Sequence, residues 1–199
     1  IISAYWTSGL WMTDPRSGSS ERLFECATCN GYAMSDDGRR IVFVELTEGD
    51  EMTAPSRALL LDPETGNATR LASHGDSVWS VALNPAGTIV ATGDREGVVR
   101  VGRTGGSEPH LLLGHEGPVW DVDIDPLGRW IATGGQDGTV RIWPMPDLSK
   151  PPLHTLPHDE LMAKLKSLTN LRVVRDQESP TGWTLTHDPF PGWETVPSW

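Results

Sequence analysis

Apolar and polar positions alternate with a period of two along much of the first 150 residues, the spacing of half-buried strands. In one segment Val119, Asp121 and Asp123 alternate with Trp120, Val122 and Ile124, which predicts a strand with two unlike faces. Asp125-Pro126-Leu127-Gly128 predicts a turn, and Trp130 to Thr133 a second strand. Gly134 to Gly138 predicts a further turn, and Thr139 to Trp143, rich in β-branched residues, a third strand.

The same pattern occurs twice. Residues 73–102 align with residues 114–143 at an offset of 41 without a gap. His74 falls on His115, Trp79 on Trp120, Thr92 on Thr133 and Arg100 on Arg141. A repeat near 40 residues with this content predicts a four-stranded propeller blade. Residues 30–45 and 56–71 repeat the pattern more loosely, with an enlarged loop at 46–55 between them. Residues 9–24 read as the last two strands of an earlier blade, and the Asp-Pro-x-x-Gly turns at 14–18 and 62–66 echo one another. The expected organisation is an incomplete blade and loop at 1–29, then blades at 30–72, 73–113 and 114–156. That makes about three and a half blades, too few for the roughly four to eight that close a ring.

These residues resemble the WD-repeat family of β-propellers. Its Gly-His before the first strand is Gly114-His115, and its closing Trp-Asp appears as Trp143-Pro144, without the acid. The resemblance implies a buried hydrogen-bond chain through Asp137, His115, Thr133 and Trp143. The matching residues one repeat earlier are Glu96, His74, Thr92 and Gly102, so the tryptophan end is missing there. The implied fold is all-β, an incomplete ring of WD-repeat blades. The chain opens on Ile1, in what reads as mid-strand, so a larger parent protein is expected to supply the missing N-terminal blades. A second copy completing the ring is the alternative.

After Pro151-Pro152 the pattern changes. Pro157 to Glu160 reads as a helix start, followed by Leu161, Met162, Leu165 and Leu168 on one face, with a stop at Asn170. Residues 171–174, 182–188 and 192–199 read as short extended segments, two of them Trp-rich. Residues 157–199 are thus expected to form a capping extension, from which Trp199 projects toward a partner. This tail resembles C-terminal extensions of bacterial propeller proteins, some fused to serine/threonine kinases. No kinase motif is present in the chain.

Composition narrows the function. The 199 residues hold 16 Lys+Arg against 27 Asp+Glu, a formal net charge of −11, which argues against nucleic acid. No apolar stretch approaches the ~20 residues of a membrane span, and a cytoplasmic location is expected. Glu45, Glu48, Asp50 and Glu51 cluster within seven residues; they read as an acidic face for a basic partner, with a solvated loop that keeps the chain soluble as the alternative. The Cys26-x-x-Cys29 pair lacks the second pair of a zinc site and the βαβ context of a thioredoxin-like site, so two plain thiols are expected, with a redox pair as the alternative.

No catalytic, cofactor-binding or metal-binding constellation emerges. There is no Gly-x-Ser-x-Gly elbow, and 101–107 lacks the Lys-Ser/Thr of a phosphate loop. Pro157 interrupts the spacing of His154 and His158. The expected function is a non-enzymatic protein-protein interaction scaffold. The alternatives are a regulatory domain of a signalling enzyme such as a serine/threonine kinase, and an enzyme with its site in the propeller channel.

Overall fold

The computed structural model describes residues 2–5, 9–26, 28–47, 54–168, 172–175 and 182–186. They form two compact units, residues 1–152 and 153–199. Within each sheet of the first unit, every strand pairs antiparallel with its neighbour in sequence. The first sheet orders β1 (Ile2–Tyr5), β2 (Gly9–Thr13) and β3 (Ser20–Phe24). The second orders β4 (Thr28–Met34), β5 (Ile41–Leu46), β6 (Ser56–Asp62) and β7 (Asn67–Arg70). The third orders β8 (Val78–Leu83), β9 (Ile89–Asp94), β10 (Val98–Arg103) and β11 (His110–Leu113). The fourth holds β12 (Val119–Ile124), β13 (Trp130–Gly135) and β14 (Val140–Pro144). β1 adds a strand to the two expected at 9–24.

The turns follow from their residues. Asp14 and Asp62 each accept the N–H two residues on, at 2.8 and 2.9 Å, which closes the tips of the β2–β3 and β6–β7 hairpins. The sheets pack face to face through three apolar layers. Leu10 and Phe24 meet Phe43, Leu59 and Leu61. Val42, Val44 and Ala58 meet Val78, Val81 and Val90. Val99 and Val101 meet Val119, Val122 and Ile131. At ~25 cal/mol per Å² of apolar surface, these layers supply the main driving force of the unit.

Polar bonds fix the spacing between sheets. Ser56 Oγ donates to Val78 O at 2.6 Å, and Ser80 Oγ to Val119 O at 3.3 Å. Arg40 Nη1 donates to Thr104 Oγ1 at 2.8 Å. Gly93 permits the close approach of β12, because a Cβ there would collide with Val119 and with Ser80 Oγ.

Two expectations are corrected. The alternation expected through 119–124 slips by one residue: Val119 is buried with Val122 and Ile124, while Trp120 is 58 % exposed. A β-bulge between Val119 and Asp121 adds one residue to β12 and turns Trp120 outward. The cysteines are also not plain thiols. Cys26 and Cys29 form a disulfide at the entry to β4, with Cα atoms 6.1 Å apart, inside the layer around Phe43.

The second unit holds a helix, α1 (His158–Leu168), and a hairpin of β15 (Arg172–Arg175) with β16 (Trp183–Thr186). Asp159 and Glu160 lie in the first turn of α1, where acids favour a helix N-terminus. No helix among the described residues is long and apolar enough to cross a membrane.

Candidate functional site

The histidine pair built into the repeat is structural in its setting. In the fourth sheet, Trp143 Nε1 donates to Thr133 Oγ1 at 2.9 Å, and His115 Nε2 lies 2.7 Å from the same oxygen. His115 Nδ1 lies 3.0 Å from Asp137 Oδ2. An ionised carboxylate only accepts, so Nδ1–H donates to Asp137 and Nε2 accepts the Thr133 hydroxyl proton. The chain of bonds therefore runs one way, from the indole to the acid. Asp137 is held well below the usual carboxylate range, first by the Thr139 N–H, with further bonds from the Thr139 hydroxyl, the Glu116 N–H and His115. Gly135 makes room for this network, since a Cβ there would collide with the His115 ring.

The third sheet solves the same position differently. His74, 1 % exposed, bonds Thr92 Oγ1 through Nδ1 at 2.9 Å, and its Nε2 has no partner. Glu96, the residue aligned with Asp137, does not carry the turn. Asp94 does, accepting from Glu96 N at 3.0 Å and Val98 N at 2.8 Å and pairing with Arg100. Gly102 stands where the other repeat has Trp143, and Pro109 fills the place of the indole, 3.2 Å from where a Cβ would lie. Burial, with a smaller contribution from the nearby Arg100 charge, pushes the His74 pKa down from 6.5 to about 4.

The structure divides the expected acidic patch. Glu45 lies within β5, directly opposite Arg57 in β6, and accepts from its Nε at 2.8 Å. It is thus a paired, half-buried carboxylate, not a member of an open acidic loop. Glu48, Asp50, Glu51 and Trp199 lie outside the described residues.

The feature that sequence reasoning missed sits on the first strand of three successive sheets. Register shifts occur between Asn30 and Tyr32 in β4, Val78 and Ser80 in β8, and Val119 and Asp121 in β12. The residues at these bulges, with parts of β5 and β6, line one cavity of about 420 Å³. Tyr32, Trp79 and Trp120 supply its aromatic walls, Asn30, Ser80 and Asp121 its polar edge. Tyr32 is 41 % exposed and Trp79 half-buried. A signal was present: Val78 and Val81, like Val119 and Val122, stand three residues apart where strict alternation requires two. Among the described residues no group of three or more His, Cys, Asp or Glu is placed to hold a metal.

Meandering antiparallel sheets packed face to face, with a buried histidine held by a threonine in each of two successive repeats, define the blades of a β-propeller. The family model "WD domain, G-beta repeat" matches residues 67–101 and 106–144, and these two segments are WD repeats. No curated protein matches the chain. WD repeats of this kind build protein-interaction modules.

Proposed function

We propose that this chain is a non-enzymatic scaffold that holds a partner protein against the mouth of β4, β8 and β12. The observation that carries this reading is the bulge repeated on three first strands, whose extra residue is a tryptophan in two of them, Trp79 in β8 and Trp120 in β12, and Gly31 beside Tyr32 in β4. Large aromatics beside a few polar groups are the composition of interface centres. An enzyme in this cavity would need an acid, base or nucleophile in mutual reach; its walls hold one ionisable carboxylate, Asp121, beside the Tyr32 phenol. The histidines of the repeats are spent on structure. Further blades complete the ring in this reading.

A photo-cross-linking amino acid at position 120 tests the proposal in cells. The expected result is one or a few discrete cross-linked polypeptides, with none from the same probe at Arg16, an exposed residue of the β2–β3 turn. Equal labelling from both positions would overturn it.

A further inference from the structure

We propose that the cavity at the mouth of β4, β8 and β12 takes an alkylammonium cation, presented as a lysine side chain by the partner protein. This rests on the interaction reading above and names what the partner brings. Three observations carry it. The lining holds three aromatic side chains: Tyr32, Trp79 and Trp120, from three different strands. Aromatic faces attract cations through their ring quadrupole, tryptophan most of all. The only charged side chain of the lining is a carboxylate, Asp121, and no lysine or arginine lines the cavity. The floor is apolar, with Val44 and Val78 among its residues, which suits the methylene stem of a long side chain.

One aromatic ring of the lining already carries a cation of the chain. Arg95 places its guanidinium carbon 6.0 Å from the centroid of the Trp79 ring. Trp120 has no such cation of the chain over its ring among the described residues, and its 58 % exposure leaves it open to an incoming one. Asp121 spends Oδ1 on the Val122 N–H at 3.0 Å, which fixes the carboxylate with its charge at the cavity edge. The net charge of −11 draws a basic segment toward the molecule before any contact forms. An anionic ligand finds no counter-charge in this lining, and an uncharged apolar one leaves Asp121 unused.

The test is calorimetric titration of the full chain with three probes: a short peptide with a central trimethyllysine, the same peptide with unmodified lysine, and the same peptide with norleucine. Both lysine peptides are expected to bind, and norleucine about tenfold more weakly or not at all. Trp120→Leu keeps apolar bulk without the ring face, and Asp121→Asn keeps the oxygen that accepts from Val122. Each should weaken the lysine peptides severalfold and leave norleucine unchanged. Norleucine binding as tightly as lysine, or indifference to both substitutions, overturns the proposal. Tetramethylammonium alone binding as tightly as the peptides moves the site to a free cation and also overturns the assignment to a partner's lysine. Discrete cross-links from position 120 with no lysine-peptide binding would fail this inference alone. Their joint absence would fail the interaction reading with it.

Discussion

The third and fourth sheets come from repeats that align without a gap, yet they differ in two ways that separate fold from finish. In the third, His74 reaches only Thr92, the turn acid has moved to Asp94, and proline and glycine replace the tryptophan. In the fourth, four side chains form one unbroken chain of bonds. Both nonetheless pair their strands in the same register, Thr92 opposite Arg100 and Thr133 opposite Arg141. The apolar face is therefore what specifies a blade here, and the polar network rigidifies a blade that the face has already specified. The second difference is cover. Val99 and Val101 are fully buried against β12 and β13, while their equivalents Val140 and Ile142 are 77 % and 61 % exposed.

The sharpest way to break this comparison is to place one charge at the same register in both sheets. Val101→Asp puts a carboxylate between packed sheets with no partner, and is expected to cost on the order of 4 kcal/mol or more. Ile142→Asp alters an exposed face and is expected to change stability by less than about 0.5 kcal/mol. Chemical denaturation of the two variants measures both. Equal losses would mean that in solution the face of β14 is covered as the face of β10 is.

Acid should also separate the two repeats. The His74 pKa lies near 4 in the folded chain, because burial disfavours the charged ring, against 6.5 when unfolded. Between those values the unfolded chain binds the proton and the folded chain does not. The stability from the neutral ring is complete above pH 6.5 and falls away as pH drops toward 4. The loss at pH 4 is on the order of 3 kcal/mol. Denaturation at pH 7, 5.5 and 4 measures it, and His74→Leu should flatten the profile in this window. An unchanged profile in that variant would assign the acid sensitivity to another group. Asp137, whose pKa is lowered, acts in the opposite range: its contribution is present above the ordinary carboxylate value and is lost only below it.

How much of this was legible depends on whether the information was periodic. The strands, the hairpin turns and the 41-residue equivalence are written in spacing and in Asp, Pro and Gly, so the fold could be read from them. The bulges could not be read by a rule that assumes a strict period of two, and with them went the aromatic cavity. Asp94 was hidden for a related reason. A gapless alignment sets Glu96 opposite Asp137, but a carboxylate at the end of β9 reaches the same turn amides from two residues earlier. The disulfide was hidden because a Cys-x-x-Cys spacing is compatible with free thiols, and only the path of the chain between β3 and β4 brings the sulfurs together.

The smallest effect probes what the network itself contributes. Trp143→Phe keeps a ring in contact with the layer around Ile131 but removes the Nε1–H that donates to Thr133. The Thr133 oxygen then loses an acceptor role while its hydroxyl still reaches His115. A net cost of about 1 kcal/mol is expected, the usual worth of one such bond. The third sheet supplies the control. It lacks the indole and keeps its register, so the phenylalanine variant should retain the same sheet and melt in a single transition. A loss of several kcal/mol, or a second transition, would show that the fourth sheet depends on its network for the fold itself. Its exposed face gives the reason to look there: a sheet covered on one side only has less apolar burial to fall back on than one covered on both.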